Sequence, residues 1–278
     1  MYQNKVKTYY DYTLGLFRLF WHGDTRAVHY GIWDESVKNF QGALLNTNKF
    51  LAEKANIRPG EKVLDAGCGV GGSAFWLVKN KGVYVVGITI SEKQLIKAKK
   101  LATKLGLENQ TEFYLQDFIK TDFLNESFDV VWAIESACYA LDKSAFLKET
   151  YRLLKPGGRL IIADGFLEKE PQNKKEEAML KNFLKGFALD NLAEAKKFED
   201  LIIATGFKSV QNWDKTQEIL PTSIPMARMS RWSWPLSIVT TWLHLTPRLL
   251  VDNNRAGIDQ LYLFKNRILV YRVFLAEK

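Results

Sequence analysis

Cysteine is scarce in this 278-residue chain: the only two, Cys68 and Cys138, stand far apart. They match no zinc-ligand spacing and cannot form a disulfide framework, which points to a reducing, cytoplasmic setting. The opening MYQNKVKTYY has no apolar run before a small-residue cleavage site, so no signal peptide is expected. A long hydrophobic run is missing too. The nearest candidate, residues 232–251, is interrupted by Pro235, His244, Pro247 and Arg248, whereas a spanning helix needs about 20 largely apolar residues. That stretch reads as a buried or lid helix pair, with peripheral membrane contact left open. There is no internal repeat and no low-complexity linker.

Of the chain, 47% is hydrophobic and 25% charged, which excludes a disordered chain. Lys+Arg number 39 against 31 Asp+Glu, a net charge of +8. The lysines are scattered along helices and read as solvated faces, so nucleic acid is not expected as a partner. From about residue 61 strands and helices alternate, as in a parallel sheet with crossover helices. Strands are expected at 62–66, 83–90, 111–115, 128–134, 159–163, 207–213 and 268–275. Ser91, with Gln94 three residues on, makes a capping box for a helix that Gly106 stops. Asp142 caps a helix ended by Pro156-Gly157-Gly158, and a helical stretch of mixed charge runs on to about residue 205. Two regions stand apart: an aromatic-rich N-terminal cap, residues 1–50 (Tyr9, Tyr10, Tyr12, Phe17, Phe20, Trp21, Trp33), and a long insertion at about 215–262. The insertion, with Met226, Met229, Trp232, Trp234 and Trp242, suits a pliable apolar lid on a core of residues 51–278.

The loop Gly67-Cys68-Gly69-Val70-Gly71-Gly72 after the first strand fits two templates. Gly67, Gly69 and Gly72 match the dinucleotide fingerprint. Asp65, Gly67, Gly69 and Gly71 match motif I of class I S-adenosylmethionine-dependent methyltransferases. A nicotinamide enzyme wants an acid about 20 residues on, and the second strand ends on Thr89 instead. The run Gly87-Ile88-Thr89-Ile90-Ser91, with Gln94, resembles the cyclopropane-fatty-acid-synthase, tocopherol and sterol C-methyltransferase group. So does Leu153-Leu154-Lys155-Pro156-Gly157-Gly158 before the fifth strand. The resemblance implies a Rossmann-like, seven-stranded, mostly parallel sheet with the last strand antiparallel. It implies S-adenosylmethionine as cofactor, S-adenosylhomocysteine as product, and no metal. It places Asp65, Gly67, Cys68, Gly69 and Gly71 around the cofactor, with Thr89, Ile90 and Gln94 at the ribose, and Tyr30 from the cap. Gln94 serves equally as the helix cap. Gln116, Asp117 and Phe118 fall at the adenine, and Ile134 lines the site.

Ala133-Ile134-Glu135-Ser136-Ala137-Cys138-Tyr139-Ala140 leaves the fourth strand at its carboxyl end, where open α/β sheets bind ligands. It resembles the acceptor-side stretch of sterol C-methyltransferases. There Glu135 faces the incoming methyl group, able to stabilise a carbocation or take its proton, or alternatively to bind the cofactor's amino-acid end or orient an acceptor hydroxyl. That family has His where this chain has Tyr139, so a relay through position 139 is in question. His29-Tyr30-Gly31-Ile32-Trp33 resembles the cap motif of small-molecule methyltransferases. His29 is either a base near neutral pH or a hydrogen-bonded residue orienting the cap. The expected activity is methylation of a small lipophilic metabolite at carbon, with N- or O-methylation of a small metabolite as the rival. The motif of nucleic-acid base methyltransferases does not follow the fourth strand.

Overall fold

The computed structural model describes residues 2–17 and 23–278. Phe20 and Trp21, assigned to the aromatic cap, lie outside the described residues, as does the side chain of Phe17. Seven strands form one sheet: β1 (Lys62–Ala66), β2 (Tyr84–Thr89), β3 (Thr111–Leu115), β4 (Phe128–Ile134), β5 (Leu154–Leu167), β6 (Lys208–Asp214) and β7 (Leu269–Glu277). Their order is β3-β2-β1-β4-β5-β7-β6. β1 to β5 pair in parallel, and β7 runs antiparallel to both β5 and β6.

Nine α-helices surround the sheet among the described residues: α1 (Tyr2–Phe17), α2 (Phe40–Lys54), α3 (Gly72–Lys81), α4 (Glu92–Leu105), α5 (Lys143–Leu153), α6 (Lys174–Gly186), α7 (Ala195–Thr205), α8 (Thr216–Trp242) and α9 (Arg248–Lys265). Two apolar cores result, one on each face. Leu51, Val63, Leu77, Trp132, Phe183, Leu263 and Tyr271 belong to one. Leu64, Val86, Val131, Phe146, Phe198 and Phe274 belong to the other. Cover on both faces explains why β1 and β2 read as nearly unbroken apolar runs.

Local chemistry sets the helix ends. The Ser91 hydroxyl accepts from the Gln94 amide, and Gly106 closes α4 in the left-handed conformation. Asp142 accepts from the Ala145 amide at the start of α5. The reciprocal half of the expected capping box is not made: the Ser91 amide donates to Thr89 Oγ1, and the Gln94 carbonyl accepts from that same hydroxyl. The fifth strand is longer than the expected 159–163. Leu154 already pairs with Phe128, so Pro156-Gly157-Gly158 lies inside β5 and does not merely precede it. At its other end β5 continues to Leu167 because β7 pairs with it as far as Leu269, and the helical stretch after it divides into α6 and α7.

The expected boundary at residue 50 falls inside α2, whose Leu51 and Ala52 are buried in the core. Residues 215–262 form a helical hairpin, α8 and α9, which cross at Gly257. A Cβ there would lie 2.2 Å from Ser230 Oγ. Helix α1 is tied across the sheet's carboxyl edge by Asp11 to Ser91, Lys5 to Asp190, and Asn253 to the Tyr9 hydroxyl.

Candidate active site

β1 turns into α3 through a loop that only glycine can make. Gly67 has φ +95°, and a Cβ there would sit 2.4 Å from the Ser136 Cβ. Ser136 in turn donates to the Ala66 carbonyl and ties the end of β4 to that of β1. Gly69 (φ +55°) is different, because the nearest atom to its Cβ position is Gln94 Nε2 at 4.0 Å, so a side chain there would enter open space. That space is a cavity of about 400 Å³ at the carboxyl ends of β1, β2 and β4.

Asp65, Gly67, Cys68, Gly69, Thr89, Ile90, Gln94, Gln116, Asp117, Phe118 and Ile134 all line this cavity, and His29, Glu135 and Tyr139 reach it as well. Two of the expected cofactor residues do not. Gly71 is the N-cap of α3 and packs on Phe75 and Phe113. Tyr30 faces the neighbouring acceptor-side cavity, with its hydroxyl donating to Gln260 at 3.1 Å. The Asp65 carboxyl is buried, its Oδ2 has no hydrogen-bond partner, and burial pushes its pKa up to about 7. A carboxylate oxygen buried without a partner is costly unless a ligand completes it. Asp117 Oδ1 accepts from the Ile119 amide and shapes the turn after β3, and the Phe118 ring meets Phe146 edge-on at 5.4 Å.

A second, smaller cavity of about 90 Å³ adjoins the first. The two share Tyr10, Val28, His29, Glu135 and Tyr139. Its further walls include Tyr9, Tyr30, Phe183, Met226 and Phe264, and the Asp164 carboxyl. The segment 29–33 that roofs the junction is clamped between helices. The Gly31 amide donates to Thr222 on α8 and the Ile32 amide to Thr47 on α2, while a Cβ on Gly31 would lie 2.6 Å from that of Ala43.

Glu135 stands at the junction with φ +47°, a left-handed backbone that a non-glycine residue holds only under constraint. The constraint is visible. Glu135 Oε1 accepts from the Tyr30 amide at 2.6 Å and from the Tyr271 hydroxyl at 2.9 Å. Burial pushes its pKa up to about 8, and the neighbouring Asp164 adds to this while the two hydrogen bonds oppose it. His29 donates from Nδ1 to the Tyr30 carbonyl at 2.8 Å when that nitrogen carries the proton, which leaves the buried Nε2 as an unpartnered acceptor. Burial lowers its pKa to about 4, so the ring is neutral near pH 7. The Tyr139 hydroxyl donates to the Phe187 carbonyl at 2.8 Å, so its proton is directed away from Glu135.

Two residues of the site carried no sequence signal. Tyr271 lies on the last strand, 136 positions from Glu135. Asp164, on β5, has its carboxyl accepting from the Cys138 and Gly165 amides, and burial raises its pKa to about 6. Among the described residues no group of three or more His, Cys, Asp or Glu is placed to hold a metal ion.

Residues 57–220 match the model of a methyltransferase domain family. The chain belongs to that family. Methyltransferase GfsG of Streptomyces halstedii is 31% identical over 223 residues, covering 80% of this chain and 79% of its own. The sterol 24-C-methyltransferase ERG6 of Saccharomyces cerevisiae is 34% identical over 179 residues, which are 63% of this chain and 44% of that enzyme. This chain thus matches less than half of the sterol enzyme's length. Among solved structures, the cyclopropane synthase MmaA2 of Mycobacterium tuberculosis superposes with a TM-score of 0.86 at 18% identity, over 99% of this chain and 98% of its own. The chain is a class I methyltransferase, and its cofactor is S-adenosylmethionine. The residues present fit that group: a glycine cradle with open space above Gly69, and a buried carboxyl oxygen awaiting a partner.

Proposed function

We propose that this methyltransferase acts at carbon on a small lipophilic acceptor: an isoprenoid, a sterol-like molecule or a prenylquinol. The observation that carries the reading is the Glu135 carboxyl. It is half-buried beside the Tyr30 and Tyr271 rings where the two cavities meet and is held by two neutral donors.

In the larger cavity, Asp65 Oδ2 suits the ammonium of the cofactor's amino-acid end, and the backbone of Gly67, Cys68 and Gly69 lies against it. Thr89 and Gln94 suit the ribose hydroxyls. Asp117 and Phe118 suit the adenine amine and ring, with Gln116, Ile90 and Ile134 as walls. When bound, S-adenosylmethionine supplies a methyl group already activated on a sulfonium. The chain's own residues then have to orient the acceptor and manage charge and a proton.

The smaller cavity offers aromatic faces from Tyr9, Tyr10, Tyr30 and Tyr139 to a developing carbocation. In its ionised form Glu135 stabilises that cation electrostatically and takes a proton from the carbon next to it. The C–H bond breaks, its electron pair closes a new double bond, and the proton rests on the carboxyl. The lipophilic acceptor reaches this pocket from a membrane that the α8–α9 hairpin touches peripherally, since Met226 on α8 and Phe264 on α9 line the same pocket.

One observation favours a second reading, methylation of a hydroxyl or amine. His29 Nε2 is buried, neutral and unpartnered at the same junction, and is fit to accept a proton from a heteroatom. Incubation with methyl-labelled S-adenosylmethionine and a panel of alkenes, phenols and amines separates the two. Label on alkene carbon supports the first reading, and label confined to heteroatoms overturns it.

A further inference from the structure

The α8–α9 hairpin carries a feature that its role as a pocket wall does not use. Met229, Trp232, Leu236, Val239 and Leu243 follow one another at steps of three and four along α8 and its end, the spacing of a single helix face. Such a stripe normally faces a core. Here it faces solvent: Trp232 is 81% exposed, Trp242 at the end of the helix 77%, and Leu245 in the turn 72%. Trp234, by contrast, turns inward and stacks under the Arg255 guanidinium at 5.5 Å. The expected cluster of three tryptophans over the pocket is therefore split, with two of them pointing outward.

The charge around the stripe has one sign. Between Glu218 and Asp252 the sequence contains no Asp, Glu or Lys, and its charged residues are Arg228, Arg231 and Arg248, all exposed. We infer that this face docks on an anionic lipid bilayer, with Trp232 and Trp242 at the headgroup level and the arginines on lipid phosphates. An exposed apolar stripe flanked by arginine and tryptophan is the pattern of interfacial helices. No described helix is long and apolar enough to cross a membrane, so the hairpin lies on the surface. A second copy of the chain is a poorer occupant. A two-fold interface would set Arg228 and Arg231 near their own equivalents, with no acid on that stretch to meet them.

The inference deepens the lipophilic-acceptor reading, but its test does not depend on that reading. Wild-type protein is floated with phosphatidylcholine vesicles containing a third phosphatidylglycerol, with pure phosphatidylcholine vesicles, and without lipid, while its mass is followed by sedimentation. Selective partition onto the anionic vesicles is expected. Arg228→Gln with Arg231→Gln should weaken it roughly fivefold per arginine, and raised salt should weaken it too. Trp232→Ser with Trp242→Ser should weaken it tenfold or more, with binding of S-adenosylhomocysteine unchanged as proof of folding. Equal partition onto both vesicle types, no partition, or a dimer that the tryptophan substitutions dissolve would each overturn the proposal.

Discussion

The Tyr271 hydroxyl, on the last strand, donates to Glu135 Oε1 at 2.9 Å across the carboxyl edge of the sheet. β7, which carries Tyr271, runs antiparallel between β5 and β6. Gly165 on β5 pairs with Tyr271, which brings the tyrosine hydroxyl to the Glu135 carboxyl. Because the hydrogen bond favours the ionised carboxyl, Tyr271→Phe should move the acidic limb of the rate–pH profile upward. It should lower kcat about tenfold and leave the affinity for S-adenosylmethionine unchanged. An unshifted limb would mean that Tyr271 only packs.

Glu135 has a stability signature as well. Its pKa is raised to about 8 in the folded chain, against an ordinary 4.5. The folded state therefore holds a proton that the unfolded state releases between those values, and stability falls as pH rises through that window. Glu135→Gln should match wild type near pH 4.5 and become more stable toward pH 8, by on the order of 1–3 kcal/mol, while losing most activity. Denaturant unfolding at several pH values measures this.

Asp65 is buried with one oxygen unpartnered. Asp65→Asn should weaken S-adenosylmethionine binding by tenfold or more in calorimetric titration without lowering the melting temperature at pH 8. Intact affinity would remove Asp65 from the cofactor's contacts.

The hairpin crossing is a packing prediction. A Cβ at Gly257 would lie 2.2 Å from Ser230 Oγ. Gly257→Ala should therefore cost about 1–3 kcal/mol of unfolding free energy. Adding Ser230→Ala should return part of it, a coupling that a double-mutant cycle reads directly.

Much of the parallel half of the fold was legible, because its signals are local. The apolar runs of β1, β2 and β4, the glycine loop, and the caps Ser91 and Asp142 each lie within a few residues of what they control. The fifth strand misled for a physical reason. Lys155-Pro156-Gly157-Gly158 looks like a stop, and the apolar run ends at Ala163, but pairing with Phe128 at one end and Leu269 at the other holds the whole stretch in the sheet. Gln94 looked like half of a capping box, yet its side chain is held by the Thr89 hydroxyl in the cavity wall.

The site divides in the same way. The residues around the glycine loop follow motifs, and the structure brings all of them but Gly71 to one cavity. Tyr30 looked like a cofactor residue because its motif does not say which cavity its ring enters. Tyr271 and Asp164 were invisible because their contacts are made by strand order, which no local pattern encodes. The outward turn of Trp232 and Trp242 was hidden too, since an apolar stripe reads alike whether it faces a core or a bilayer.

The most direct test of the account is to identify the atom that receives the methyl group. Protein supplied with 13C-methyl S-adenosylmethionine and a mixed extract of isoprenoid, sterol and quinol lipids would give a product whose labelled methyl is read by carbon–proton correlation NMR. A methyl bonded to carbon, with its yield abolished by Glu135→Gln, is the predicted result. A methyl on nitrogen or oxygen, formed as well by Glu135→Gln as by wild type, would contradict it.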